Sequence, residues 1–172
     1  TAKLPKAWQE SGTELHTDLV PLIEKAVRED GTMPVKIIAP GWGSSAYYSR
    51  ELLQRDGPKV FGEGTQMYLD HPTENEDDAR PERSVRDLVG TLASPARYME
   101  DGPAGAGLYA DAAVITPFRD MLEELAPHIG LSIRAWGPAS EGEIEGRQGL
   151  VAEALRPRGP KGQPVTIDFV TQ

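Results

Sequence analysis

Short stretches of β-forming residues, separated by turn-forming residues, recur along most of the chain. Residues 65–71 alternate between two strand faces, and the face that carries Met67 and Leu69 ends in His71. Residues 35–38 form an apolar β-type run that a Pro-Gly segment closes. The same kind of pattern predicts further strands over residues 88–98, 108–114, 130–136, 143–155 and 165–171.

One longer segment near the start of the chain has helical spacing. Residues 14–29 place Leu15, Leu19 and Ile23 on one stripe, which is the pattern of an amphipathic helix. The pair Asp30-Gly31 is a typical end signal for such a helix. We therefore predict a helix over this segment, with a proline inside it as a kink or a first-turn residue.

Two shorter helices and one long polar loop complete the pattern. Residues 47–56 predict a short helix that stops at Gly57-Pro58. Residues 117–125 begin with a proline, which suits the first turn of a helix. Residues 72–83 are polar and acid-rich, and we predict a solvated loop there.

These elements predict a mainly β chain of the α+β class. Strands outnumber helices and short turns join most neighbours, which favours an antiparallel barrel or sheet with a few helices packed outside. A length of 172 residues suits one domain with a single core, so residues 1–172 are predicted to be one domain. Residues 1–13 are predicted to be a flexible N-terminal arm.

The charge balance narrows the classes of partner. Asp and Glu number 27 against 18 Lys and Arg, which gives a formal net charge of −9. A nucleic-acid binder needs a cationic surface, so no nucleic-acid partner is expected. The sequence has no apolar run close to the roughly 18 residues of a membrane span and no signal or lipidation pattern. We expect an intracellular protein without membrane contact, and Thr1, which is not an initiator methionine, favours a trimmed or processed chain.

Motifs for cofactors and metals are incomplete. The Gly-rich residues 40–45 lack the lysine of a phosphate-binding loop, and residues 102–107 precede a strand instead of opening a helix. Acidic residues 74–78 lack the pattern of an EF-hand, and the three histidines form no His-Glu-x-x-His pair. There is no cysteine, which excludes disulfides and a thiolate nucleophile, and no Gly-x-Ser-x-Gly elbow. We therefore expect no cofactor and no metal.

One histidine and one serine remain as candidates for chemistry. His71 ends a strand face and precedes the polar loop, while Ser132 alternates with the apolar residues Leu131 and Ile133. Each also has an ordinary interpretation, as a half-buried histidine and as a solvent-facing strand serine. Spacing by itself does not join two residues that lie 61 positions apart.

Three segments in order resemble the prohead (capsid maturation) serine proteases of tailed phages. They are residues 64–72 (GTQMYLDHP), 128–135 (HIGLSIRA) and 165–171 (VTIDFVT), and residues 30–36 and 80–88 are also similar. The resemblance covers most of the chain from about residue 19. It implies a fold like that of herpesvirus assemblin, a closed β-barrel wrapped by helices, often paired into dimers or larger homo-oligomers.

The resemblance also implies roles for residues. In such proteases the serine of the Gly-Leu-Ser-Ile context is the nucleophile and the histidine of Asp-His-Pro is its base, which correspond to Ser132 and His71. Relatives place a carboxylate in the last strand, where Asp168 stands, or two positions earlier, at Thr166. Asp168 is the predicted third member and Glu153 is the substitute.

The implied activity is cleavage of scaffold and capsid protein segments, and of the enzyme itself, inside the assembling prohead in the host cytoplasm. Arg134 shares the strand face of Ser132 and is predicted either to supply a charge at the site or to be an exposed arginine that aids solubility. A chain ending at Gln172 suits a protease core released by self-cleavage or cut there by design. Two alternatives stay open: a catalytically inactive capsid assembly module of the same fold, and an unrelated acidic β-rich binding domain.

Overall fold

The computed structural model describes residues 12–172 and is mainly β. Most of the predicted arm, residues 1–11, lies outside the described residues, and Thr13 already belongs to a strand. In chain order the strands are β1 Thr13–His16, β2 Val20–Pro21, β3 Thr32–Ile38, β4 Gly41–Trp42, β5 Tyr47–Tyr48, β6 Gln66–Leu69, β7 Leu88–Leu92, β8 Arg97–Met99, β9 Gly107–Val114, β10 Ile129–Gly137, β11 Ala139–Ile144, β12 Arg147–Ala152 and β13 Thr166–Thr171. The α-helices of this part of the chain are α1 Arg50–Val60, α2 Glu74–Ala79 and α3 Thr116–Leu125, and short 3₁₀ turns cover Val85–Asp87 and Ala126–His128.

The main sheet is an open, curled half-barrel, so the predicted closed barrel is wrong. Its strands run in the order β1-β10-β13-β6-β7-β9-β3, with β2 also paired to β10 and β8 to β9. The two ends of this order, β1–β2 and β3, do not hydrogen-bond to each other. The edge strands contain Pro21 and Pro34, which have no N–H to donate to a further strand. Each proline removes one donor from its strand, which disfavours pairing with a further strand at that position.

The sheet is also not purely antiparallel, because β13 runs parallel to β6. One hydrophobic core contains buried apolar side chains from β3, β6, β9, β10 and β13, and α1 and α3 contribute Leu53 and Leu122 to it. A second, four-stranded sheet has the order β11-β12-β5-β4. None of the helices in residues 12–172 is long and apolar enough to cross a membrane.

The helix predicted over residues 14–29 is wrong. The structure has β1 and β2 there, and both pair antiparallel with β10. Leu15 lies opposite Ala135 and is fully buried, so the apolar residues serve a strand pairing and not a helical stripe. Pro21 also lacks the N–H that a helix interior needs.

Other boundaries differ for local reasons. The first helix begins after Ser49, whose side chain accepts a hydrogen bond from Leu52 N, and it runs through Gly57-Pro58 instead of stopping there. The predicted strand over residues 143–155 is part of the β11–β12 hairpin, whose turn residues Glu145 and Gly146 both have positive φ. The strand predicted over residues 88–98 is split into β7 and β8, while those near 35–38, 65–71, 108–114, 130–136 and 165–171 and the helix near 117–125 are confirmed.

Candidate active site

The sheet order brings three predicted site residues onto neighbouring strands. Ser132 lies in the middle of β10, and Asp168 stands directly opposite it on β13. His71 follows β6, which is the next strand beyond β13. The adjacency of β10, β13 and β6 therefore joins residues that are 61 and 97 positions apart in the chain.

A chain of hydrogen bonds connects these three side chains. His71 Nε2 is 3.0 Å from Ser132 Oγ, and His71 Nδ1 is 2.7 Å from Asp168 Oδ2. Ser132 and Asp168 are 3% and 0% exposed, while the side chain of His71 is 24% exposed. A carboxylate that accepts from Nδ1–H leaves the lone pair of Nε2 directed at the serine hydroxyl.

Asp70 sets the position of His71. Its φ of 60° lies in the left-handed region, so the extended chain of β6 ends there. Asp70 N donates to Phe169 O at 2.8 Å, which ties the turn to the end of β13. The residue after the turn is thereby brought over Asp168 instead of continuing along the sheet.

Arg83 is a residue that the sequence analysis missed. Its buried guanidinium donates through Nη1 to both oxygens of Asp168 at 3.2 and 3.1 Å and to Thr166 Oγ1 at 3.2 Å. Nη2 donates to Asp70 O at 2.7 Å, and the guanidinium carbon lies 4.3 Å from the ring centre of Tyr68. One side chain therefore balances the buried charge of Asp168 and holds the turn that carries His71.

The alternatives for the third member occupy different positions. Thr166 is fully buried and accepts its hydrogen bond from Arg83. Glu153 is exposed, and its main chain bonds to Pro138 and to Arg55. The carboxylate that contacts His71 is that of Asp168.

Arg134 is buried, so its interpretation as an exposed arginine for solubility is wrong. It is 3% exposed, stacks over Trp136 at 4.7 Å and pairs with Glu14 and, at 3.0 Å, with Asp77. The close approach of His16 Nε2, 3.4 Å from the carboxylate, together with Arg134, lowers the pKa of Glu14 to about 2 despite its partial burial. Arg134 Nη1 is buried and has no hydrogen-bond partner within the described chain.

The region predicted as a solvated loop, residues 72–83, contains α2. Thr73 caps this helix through a capping box with Glu76. Asp77 points from it to Arg134 on β10, and its side chain is only 14% exposed. The ion pair of Asp77 with Arg134 therefore attaches α2 to β10, the strand that carries Ser132. The acid-rich composition of residues 72–83 does not by itself predict this contact.

A cleft of about 850 Å³ opens beside the histidine. Its walls include Leu69, His71, Pro72, Arg80 and Val170 but not Ser132. Ser132 Oγ donates to Thr17 O at 2.8 Å, and the ring of His16 stacks on that of His71. Residues 16 and 17 also escaped the sequence analysis, because they were assigned to a helix.

This arrangement has the parts of an acyl-transfer site: a hydroxyl, an imidazole within hydrogen-bond distance of it, and a buried carboxylate that orients the imidazole. Comparison with protein-family models gives no match for this chain. Searches of curated proteins and of solved structures likewise find no significant match. The family suggested by the three sequence motifs therefore stays a prediction, and the geometry of the site is independent of it.

Proposed function

We propose that this protein is a serine endopeptidase of the prohead maturation type. The observation that carries the proposal is the hydrogen-bonded series Ser132–His71–Asp168, with distances of 3.0 and 2.7 Å. The resemblance of the three motifs adds the assignment to phage capsid maturation. Substrates are then segments of scaffold and capsid proteins, and of the enzyme itself, inside the assembling prohead.

In the proposed mechanism, His71 takes the proton of Ser132 as Oγ attacks a peptide carbonyl carbon. The protonated ring, held by Asp168, then gives that proton to the leaving amine. In the second half of the reaction, His71 takes a proton from the water molecule that attacks the acyl carbon. His71 then returns this proton to Ser132 Oγ as the ester bond breaks, which releases the carboxylic acid product and restores the serine. Arg134, which lies on the same face of β10 as Ser132 and keeps one unpaired donor, is the candidate for stabilising the developing oxyanion.

The cleft beside His71 supports a polymeric substrate. A volume of about 850 Å³ accommodates several residues of an extended peptide, and the histidine lies in its wall. A homodimer or larger homo-oligomer is also part of the proposal, on the resemblance alone. Sedimentation of the purified chain tests that part separately from catalysis.

One observation favours the second candidate, an inactive capsid assembly module of the same fold. Ser132 is only 3% exposed, so in this conformation a substrate does not reach its hydroxyl. An assembly module has no need of an accessible serine. The two candidates differ in their reaction with a serine-directed reagent.

The test is labelling of the purified protein with a fluorophosphonate probe, followed by mass spectrometry of the labelled peptide. We expect labelling at Ser132, and no labelling of Ser132→Ala. Ser140→Ala, at an exposed serine of β11, is the control for a serine outside the site and is expected to be labelled like the unmodified chain.

Turnover of a scaffold-derived peptide gives the second measurement. Loss of the nucleophile typically lowers turnover on the order of a million-fold. Asp168→Asn lowers it on the order of ten thousand-fold, because the amide group donates to Nδ1 and holds the imidazole in the tautomer that cannot accept the serine proton. Cleavage by Ser132→Ala at the normal rate contradicts the assignment of the nucleophile. Absence of both labelling and cleavage in every form of the protein favours the assembly module.

A further inference from the structure

One edge of β10, the strand that carries Ser132, pairs with β13. The other edge is occupied by residues 13–21 of the same chain. In β1 the pairing runs from Thr13 opposite Gly137 to His16 opposite Arg134. In β2 it resumes with Val20 opposite Leu131. Three residues, 17–19, therefore stand opposite only two, 132 and 133. The extra residue makes a bulge, and it lies directly beside Ser132.

The bulge turns polar groups of Thr17 onto the serine. Ser132 Oγ donates to Thr17 O at 2.8 Å, and Ile133 N donates to Thr17 Oγ1 at 3.1 Å. The ring of the preceding residue, His16, stacks on the ring of His71 with centroids 4.4 Å apart and an interplanar angle of 11°. This segment therefore contacts both the nucleophile and the base of the proposed enzyme.

These contacts oppose the reaction in two ways. A serine hydroxyl has one proton, and while that proton is donated to Thr17 O it is not available to His71 Nε2. The same carbonyl and the ring of His16 cover the approach to Oγ, which leaves Ser132 3% exposed although a cleft opens beside His71. The structure thus has an assembled but covered site.

Several contacts hold the segment in place. The main chain of His16 exchanges hydrogen bonds with Ser45 Oγ, at 2.9 Å from N and 2.8 Å from O, and its carbonyl accepts from Tyr48 OH at 2.9 Å. Glu14 pairs with Arg134. The segment is nevertheless an edge element, interrupted by a bulge and followed by a strand of only two residues. Because the segment lies at the end of the strand order, its departure would leave the pairing of β10 with β13 and of β13 with β6 in place.

We propose that residues 13–21 are an internal inhibitory strand, which must leave the edge of β10 before a substrate reaches Ser132. This inference rests on the proposed function as a serine endopeptidase. It reconciles a hydrogen-bonded Ser132–His71–Asp168 series with a buried nucleophile. It also gives a protease confined with its substrate a means to stay inactive until the strand is displaced.

A reversible lock tests the inference in the full chain. Leu15 and Ala135 lie directly opposite each other on β1 and β10, at a separation suited to a disulfide. The chain has no cysteine, so Leu15→Cys with Ala135→Cys forms a single disulfide that closes the strand onto β10. The oxidised variant is expected to resist the fluorophosphonate probe, and the reduced variant to be labelled at Ser132.

The same polypeptide, oxidised and reduced, is its own control, and the unmodified chain reports any effect of the reductant itself. Equal labelling rates in the two states refute the inhibitory strand and leave the proposed function intact. Absence of labelling in every form, the unmodified chain included, overturns the proposed function and the inference with it.

A second pair of variants keeps the test decisive if the double cysteine variant does not fold. Ser45→Ala removes the side chain that holds His16, and the loss of such hydrogen bonds is expected to raise the labelling rate about threefold to tenfold by freeing the strand more often. Ser94→Ala is the matched control, since this half-buried serine accepts from Asp111 N away from the site. An unchanged rate in Ser45→Ala, or an equal rise in Ser94→Ala, refutes the inference.

Discussion

Arg83 is the residue whose replacement tests the construction of the site most directly. Arg83→Met keeps the length of the side chain and removes its charge and all its donors. The guanidinium makes contacts to Asp168, Thr166 and the Asp70 carbonyl, and both members of the Arg83–Asp168 pair are buried, with side chains 4% and 0% exposed. The variant therefore leaves a buried carboxylate without its cation.

The expected loss follows from this burial. Removing one partner of a buried ion pair costs about 3–5 kcal/mol, because the remaining charge stays desolvated. Three of the four hydrogen bonds of Arg83 are long, at 3.1–3.2 Å. We therefore expect the free energy of unfolding to fall by an amount near the lower end of this range, about 3 kcal/mol. The free energy of unfolding of a small domain is about 5–15 kcal/mol, so the variant is expected to fold but to unfold at a much lower urea concentration.

Urea unfolding measured by circular dichroism gives the free energy of unfolding for comparison with the unmodified chain. Arg83→Lys is the control, because it keeps a positive charge but not the planar group that reaches all the acceptors. We expect Arg83→Lys to lower the free energy of unfolding by about half as much as Arg83→Met. A free energy of unfolding for Arg83→Met within about 1 kcal/mol of the unmodified chain would refute the reasoning, since it implies that Asp168 does not depend on this cation.

Two further predictions concern packing and pH. Gly57→Ala is expected to lower the free energy of unfolding by about 1 kcal/mol, because the added Cβ meets the side chain of the fully buried Leu108 at 2.6 Å. The cost of this overpacking exceeds the gain in helix propensity. A melting temperature above that of the unmodified chain contradicts the prediction. Glu14→Gln is expected to destabilise the protein at neutral pH. The nearby His16 ring and the charge of Arg134 hold the pKa of Glu14 at about 2, below its ordinary value of 4.5. The stabilisation is complete above pH 4.5 and is lost as the pH falls toward 2, so the melting temperatures of the two forms should converge there, and a constant difference down to pH 2 contradicts the prediction.

The parts that sequence reasoning predicted well are those set by local pattern. The strand that leads to His71 and the strand that carries Ser132 follow from alternation, and α3 follows from its first-turn proline. The proximity of Ser132, His71 and Asp168 came from a resemblance, because strand order in a sheet is not encoded in the spacing of single residues. Alternation says which face a residue occupies and not which strand lies next to it.

The parts that failed depend on tertiary partners. Residues 14–29 have a helical apolar spacing, but pairing of the segment with β10 satisfies its backbone and buries Leu15 more completely. Arg83 stands in a polar, acid-rich stretch, and nothing local distinguishes a buried arginine from a solvated one. Whether a curled sheet closes into a barrel likewise depends on its two end strands, here β1 and β3, which are far apart in the strand order and do not pair with each other.

The parallel pairing of β6 with β13 has a consequence for folding kinetics. His71 and Asp168 are 97 residues apart, and the strand between the serine and histidine strands is formed by residues 166–171. During synthesis, the sheet cannot join β10 to β6 until that segment has emerged from the ribosome. Contacts so distant in sequence slow folding, because the closure of a long loop precedes any gain from the pairing. The Ser132–His71–Asp168 series therefore forms only after β6, β10 and β13 have all been synthesised and have paired.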